Sequence, residues 1–442
     1  MAASRFLGLR VTRGLAVLIG LAALGLGLIA YRFAMGLGAV TNLSDGYPWG
    51  FWIGIDILVG IALAAGGFVT AGLVHIFGGH RFHPLSRSAI LTALLGYLLF
   101  IFALAVDLGR PWHIWVALVS WNHASPMFEV AWCVMFYTFV LILEFAPAFL
   151  ERFQLTALMR LWDSFTPWVI VAVLSLFTFA MTHGSLVWTG TLFGILAMWE
   201  ILMRLGIMPR DKEMPLLLIM AGIMLSTLHQ SSLGTLFLIS DKVSSLWYTP
   251  ILPLLFFLSA VMVGPAMVIF EAMVTGKVLR HEPKFALLEP LGRGMPYLIT
   301  LYLAVRVLDM IMRGTVLGVI SPSMEALWWW LEVGLLMAAV IHFGTPEVRE
   351  RPAGLFVAAL ATVLALIVHR TGVALVGLNV PEYPAYVPAW SEVMITVGIA
   401  AIGILAFRLA VEHLPVYEHE PAHDEVPSVP GHATAGAVGS QW

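Results

Sequence analysis

The chain has 442 residues, 60% hydrophobic and 11% charged, with a mean hydropathy of +0.93 and a formal net charge of −3. So few charges cannot cover the surface of a soluble protein of this length. The single cysteine, Cys133, excludes a disulfide framework, a cysteine-ligated iron–sulfur cluster and a C-x-x-C-H haem attachment.

In chain order, apolar runs of about 20 residues predict an all-α polytopic membrane protein. The spans fall near 14–37, 51–77, 89–109, 128–149, 167–185, 188–205, 214–240, 250–273, 295–313, 325–344, 353–372 and 390–411. The first follows Arg5, Arg10 and Arg13 without a convincing A-x-A site, so it reads as a retained helix rather than a signal peptide. The fifth and sixth flank "THGSLVWTG" and are short; ten full spans with a re-entrant pair is the alternative. The tail, 415–442, has no apolar periodicity. His413, His419, His423 and His432 are irregularly spaced around a Pro-rich stretch, which suits a disordered tail better than a metal site. There is no P-loop and no G-x-G-x-x-G in a strand–helix context, so nothing reads as nucleotide chemistry.

The basic residues orient this layout. Seventeen of the 23 Lys and Arg fall on one side, against six (Arg32, Arg110, Lys242, Arg306, Arg313 and Arg370) on the other. The bias predicts cytoplasmic termini. The Trp-rich loops "YPWGFW", "RPWHIWVALVSW" and "WWW" then lie outside, where indole rings suit an interface or a docked subunit.

A charge inside the hydrocarbon costs about 2.5–3.5 kcal/mol on insertion scales, so each one needs a reason. Asp56 lies within the second span, after Trp49 and Trp52. Asp107 and Arg110, three apart at the end of the third span, have the spacing of a helical ion pair, stopped by Pro111. Glu129 opens the fourth span after Pro126. Three successive helices would thus bring Asp56, Asp107, Arg110 and Glu129 to one depth under the outer interface. The plainer readings are an Asp107–Arg110 pair that merely closes a helix end, and a Glu129 drawn to a helix N-terminus by its dipole. Glu144, Glu200 and Glu271 lie near inner helix ends, where snorkelling or pairing with arginine would explain them. Asp56 and His229, in "LHQSSLG", sit at no helix end, and a functional reading is favoured for both.

A quinone head group wants an aromatic cleft, a histidine that donates or accepts near neutral pH, and a carboxylate to carry protons. His229, Gln230 and the following hydroxyls supply such a set, although an ion or solute site would use the same residues. A b-type haem would need two facing histidines. His75, His183, His229, His342 and His369 lie at differing depths, so no haem is expected.

"GLGAVTNLSDGYPWGFWIGIDILVGIALAAGGF", "FHPLSRSAIL", "FEVAWCVMFYTFVLILEFAPAFLERF", "LHQSSLG" and "YVPAWSEVMITVG" resemble the NrfD/PsrC superfamily in order from about residue 36 to 410. The nearest likeness is to the membrane subunits of periplasmic nickel–iron hydrogenases. The resemblance implies a haem-free subunit of two four-helix bundles with flanking helices, in a bacterial inner membrane. It implies quinone chemistry, with menaquinone the expected species, and electron exchange with a periplasmic iron–sulfur subunit that serves a catalytic subunit. It carries over to Pro48–Trp49–Gly50, Asp56, Glu129, Glu144 and His229–Gln230–Ser231–Ser232, and "DLGRP" matches an Asp–x–x–Arg–Pro element of other members. The stretch 164–212 departs from the pattern as a possible inserted hairpin within a membrane domain of 1–414, so no role passes to His183 or Glu200.

The expected quinone site is therefore Trp49, Asp56, Asp107, Arg110, Glu129, His229 and Gln230. A proton path is expected through Glu144, Glu271 and Glu332. Two rivals stay open: a structural anchor for a periplasmic enzyme, which needs the aromatic loops but not Asp56 or His229, and a secondary transporter, which would show inverted repeats.

Overall fold

The computed structural model describes all residues except 1–4, 7–8, 11, 76–78, 123–124, 209–215, 280–284, 379, 382 and 417–442. Among the described residues, twelve helices are long and apolar enough to cross a membrane. They are α1 Arg13–Met35, α2 Ile53–His75, α3 Arg81–Asp107, α4 Pro126–Arg152, α5 Thr156–Met181 and α6 Leu186–Arg204. The second half holds α7 Leu217–Phe237, α8 Leu252–Val278, α9 Phe285–Met312, α10 Met324–Gly344, α11 Pro352–Val376 and α12 Trp390–His413. Ahead of α1, Arg5–Phe6 pairs with Leu9–Arg10 as a two-residue ladder.

Local sequence starts these helices in recognisable ways. Thr12 and Ser323 accept the orphan amides of Leu15 and Ala326 at 3.2 Å each, capping α1 and α10. Pro126 and Pro352 open α4 and α11, where a missing N–H costs nothing.

Packing divides the helices into two four-helix bundles with flanking pairs. The first joins α2, α3, α4 and α7 around Ile61, Ala93, Val140 and Leu225. The second joins α8, α9, α10 and α11 around Leu255, Ile299, Leu336 and Ala358. They meet where α8 packs on α2 and α7, and α11 on α2. α1 and α12 form a separate pair leaning on α3. They approach closely at Gly25 and Gly398: a Cβ added to Gly25 would lie 2.6 Å from Gly398 Cα. Small residues permit such contacts between membrane helices, where packing rather than burial from water drives association.

Twelve spans match the expected count. The expected bounds of two were short, since α5 begins eleven residues before position 167 and α9 ten before 295. The polar turn at the start of α5, with Arg160 and Asp163, hides its helical character, but Trp162 Nε1 donates to Leu143 O at 3.1 Å and holds that turn on α4. Pro290 and Arg293 mask the start of α9 in the same way. α5 has 26 residues and α6 has 19, long enough to cross as full helices, so the ten-span alternative with a re-entrant pair falls. The tail predicted over 415–442, with His419, His423 and His432, lies outside the described residues beyond Val416.

α2 opens with a π-helical turn at Ile53–Ile57, and α11 closes with another at Gly372–Val376. The two turns touch where the bundles meet. Gly54 is needed there, because an added Cβ would crowd Leu375 Cγ at 3.1 Å. Trp49 Nε1 donates to Ala374 O at 2.8 Å, tying the entry of α2 to the end of α11.

Candidate functional site

The face where α1 begins and α12 ends is here the terminal face, and the opposite one the distal face. His229 on α7 is fully buried inside the first bundle, in its distal half. Its Nδ1 lies 2.7 Å from Tyr97 Oη on α3, while its Nε2 has no partner. The rings of Phe100 and Tyr97 flank it at 5.9 and 5.3 Å. The next residue, Gln230, is 1% exposed and donates from Nε2 to Ile61 O of α2 at 3.1 Å, leaving its Oε1 unpaired. Two adjacent residues on one helix thus carry unsatisfied polar atoms in an apolar interior, where such atoms cost free energy.

Trp49 packs against Phe237 at the distal end of α7, with centroids 4.4 Å apart and ring planes inclined by 59°. Half-buried Glu129, at the start of α4, faces Ser232 of α7. Gly234 serves a helix contact, for an added Cβ would meet Pro253 Cα of α8 at 2.7 Å.

Asp56 belongs to a different group. It sits in the π-helical turn of α2 and accepts from Thr396 Oγ1 of α12 at 2.9 Å. Asp107 lies near it, and the counter-charge to Asp107 comes from Arg32 of α1. Arg32, 4% exposed, also donates to Val106 O at 2.7 Å and to Leu108 O. The expected Asp107–Arg110 pair does not form. α3 ends at Asp107, Leu108 is extended at ψ 126°, and Arg110 lies exposed beyond it. The helical spacing of three therefore never applies. Nearby, Glu392 accepts from the Asn42 and Ala389 amides at 2.8 and 2.9 Å and from the Tyr386 hydroxyl.

The seven residues expected to share one pocket therefore divide. His229, Gln230, Glu129 and Trp49 belong to the first bundle and its distal end. Asp56 and Asp107 face the α1–α12 pair, and Arg110 stands apart. Tyr97, Phe100, Arg32 and Thr396 were not singled out in advance. A lone tyrosine in the middle of α3 was the available signal for Tyr97.

The inner carboxylates also separate. Glu144 on α4 is 7% exposed and lies against Gly222 of α7, where an added Cβ would come within 2.8 Å of its Oε1. It lines a cavity of about 360 Å³ at the terminal face, with His75, His83, Arg87, Glu151 and Asp163. Gly222, Ser226 and His229 follow one another at helical spacing along α7. Tyr137, on α4 near Glu144, packs against Tyr97 with centroids 4.6 Å apart. Glu271 on α8 instead accepts from Ser88 Oγ at 2.5 Å and from Thr92, tying the bundles together across α3. Glu332 on α10 pairs with Arg306 and accepts from Tyr302 Oη at 2.9 Å, inside the second bundle. Glu200 pairs with Arg204 at 2.6 Å within α6.

A bis-histidine haem needs two rings facing each other across one cleft. Buried His229 and His369 stand on α7 and α11, in different bundles with α2 and α8 between them. Each already engages a neighbour through Nδ1, with Tyr97 and Arg370 respectively. His75 and His83 lie 6.2 Å apart, ring to ring. Buried His229 and His369 thus do not face each other as one ligand pair.

The sequence profile described as "Polysulphide reductase, NrfD" matches residues 39–382. A Nitratidesulfovibrio vulgaris protein is 34% identical over 91% of this chain and 94% of its own length. The probable Ni/Fe-hydrogenase 2 b-type cytochrome subunit of Escherichia coli is 29% identical, over 88% of each chain. The integral membrane subunit of menaquinone reductase from Nitratidesulfovibrio vulgaris is 26% identical, again over 88% of each.

Proposed function

We propose, from the premise that the chain belongs to the polysulphide reductase NrfD family, that it is a quinone-reactive membrane subunit of a respiratory oxidoreductase complex. The observation that carries this reading is buried His229, with Nδ1 on Tyr97 and Nε2 unengaged. If Tyr97 donates to Nδ1, the ring is neutral with its proton on Nε2, ready to donate to a quinone carbonyl. Gln230 Oε1, unpaired beside it, would accept from the hydroxyl of the reduced form. Trp49 and Phe237 would give the ring an aromatic approach from the distal end. The same hydrogen bonds serve quinone reduction and quinol oxidation. Relatives named as hydrogenase and menaquinone reductase subunits support both the quinone and the placement in a complex.

The electron partner would be an iron–sulfur subunit, itself serving a catalytic subunit, docked on the distal face, where Trp112, Trp115 and Trp121 are exposed. The terminal face would be the cytoplasmic side of an inner membrane, in keeping with its share of the basic residues. Protons would enter by the 360 Å³ cavity to Glu144 and pass along Ser226, Tyr137 and Tyr97 to His229. Glu271 and Glu332 stay outside this route, because their partners hold them elsewhere. Asp56 would act indirectly, positioning α2 against α12 through Thr396.

The test is a quinone-analogue titration of the purified protein, following tryptophan fluorescence, with His229→Ala and Asp56→Asn alongside. Saturable quenching that weakens strongly in His229→Ala and little in Asp56→Asn is expected. Equal affinity in wild type and His229→Ala, with folding intact, would sink the assignment.

A further inference from the structure

The cavity at the terminal face contains two buried polar groups that the protein leaves unpaired. Its outer part is satisfied: Arg87 donates from Nη1 and Nη2 to the two carboxylate oxygens of Glu151, each at 2.9 Å, and these side chains are 36% and 38% exposed. Glu144 and Ser86 line the same cavity but are only 7% and 6% exposed. No described residue donates to Glu144, and Ser86 Oγ has no partner. A buried carboxylate or hydroxyl in that condition costs free energy until something pairs with it.

The walls decide what can pair with them. Three carboxylates line the cavity, Glu144, Glu151 and Asp163, against one guanidinium, Arg87, which Glu151 already neutralises. His75 and His83, which add charge only when protonated, already have partners, as does Asp163. The charge left over is the carboxylate of Glu144, so the fitting occupant is a cation. Among the described residues no group of three or more His, Cys, Asp or Glu is disposed around a metal ion. Glu144 and Ser86 can both accept hydrogen bonds, and an ammonium group carries three donors. Phe145 and Trp162 add aromatic surface, which attracts an organic cation, and the Trp162 ring is fixed by its bond to Leu143 O. The volume of about 360 Å³ lies within the roughly 300–1,000 Å³ of small-ligand sites.

We infer that this cavity binds a primary ammonium group through Glu144 and Ser86, carried by a free small amine or by the head group of an ethanolamine phospholipid. Its charge answers Glu144, and its N–H groups supply donors that the chain does not. The site is independent of the quinone reading, because it is detected through stability and not through turnover. An ammonium seated there would also close the proposed proton entry, a consequence that does rest on that reading.

The test is thermal unfolding of the full-length protein in an amine-free buffer. In detergent, at fixed ionic strength, tetramethylammonium, which has no N–H, is exchanged for ethanolammonium. A second arm compares nanodiscs of phosphatidylethanolamine with nanodiscs of phosphatidylcholine. A ligand that binds the folded state raises Tm saturably. Such a rise is expected with ethanolammonium and not with tetramethylammonium. Glu144→Gln keeps the shape and removes the charge, and should raise the half-saturating concentration roughly tenfold. A higher Tm in phosphatidylethanolamine that Glu144→Gln abolishes assigns the lipid head group; a response to the soluble ion alone assigns a free amine. No rise in either arm, an equal rise with tetramethylammonium, or the same half-saturation in wild type and Glu144→Gln overturns the inference. If Glu144→Gln fails to fold, Ser86→Ala takes its place, with the same two outcomes.

Discussion

Tyr97 and His229 meet across the interior of the first bundle with 2.7 Å between Oη and Nδ1, joining α3 to α7 at a depth where no water competes for the contact. A buried hydrogen bond of this kind orients the ring, and so decides which nitrogen faces an arriving ligand. Tyr97→Phe should therefore keep the histidine but lose its orientation. Quinone-analogue affinity should fall about five- to tenfold, with a stability loss of about 1 kcal/mol. His229→Ala should cost more in affinity than Tyr97→Phe. The same fluorescence titration measures both, and a Tyr97→Phe affinity equal to that of wild type would mean that ring orientation is irrelevant.

Glu144 offers a separation of binding from turnover. It lies at the terminal-face cavity, away from the polar atoms of His229 and Gln230. Glu144→Gln should leave quinone-analogue affinity within twofold of wild type. Quinone-linked turnover of the assembled complex should fall at least tenfold. If turnover is unchanged, protons reach the site by another route.

The α1–α12 pair should be intolerant of side chains at its crossing. Gly398→Leu would force a Cβ to within 2.5 Å of Gly25 Cα, so the helices must separate. Overpacking of this kind costs about 1–3 kcal/mol. The expected result is a lower unfolding temperature and loss of a disulfide cross-link engineered between α1 and α12. An undiminished cross-link yield would contradict the close crossing.

Tyr386, in the loop between α11 and α12, supplies a pH-dependent contact outside the membrane. Burial, then its hydrogen bond to Glu392, pushes its phenol well above the ordinary value of about 10. The folded state thus holds this proton more tightly than the unfolded state does. The stability it contributes is complete below about pH 10 and is lost as pH rises above that value. Limited proteolysis of the loop should accelerate above pH 10 in wild type, and Tyr386→Phe should remove that step.

How much of this was legible depended on what each residue answers to. The twelve spans and the fold class could be read because the bilayer demands long apolar helices, and composition records that demand. Asp56 and His229 could be singled out because each lies inside an apolar run. Their grouping could not be read, because it depends on helix rotation: Asp56 turns to Thr396, 340 positions away, and His229 turns to Tyr97, 132 positions away. Arg110 misled because a spacing of three means a shared face only while the helix continues, and this one stops at Asp107. The Arg306–Glu332 pair left no pattern in its neighbourhood, since its members come from α9 and α10, 26 residues apart.

The paired π-helical turns of α2 and α11 carry a consequence for register. A π turn accommodates one residue more than an α turn does, while the helix continues on both sides. Ile53–Ile57 and Gly372–Val376 therefore each hold a spare residue, at the contact between the bundles. Deleting one residue from Ile53–Ile57 would let α2 close as an ordinary α-helix. It would also turn Asp56, or whichever residue replaced it, about a quarter of a revolution away from Thr396. The length of α2 is thus set by the direction its carboxylate must face, and a chain one residue shorter would span the membrane equally well with that group aimed at another neighbour.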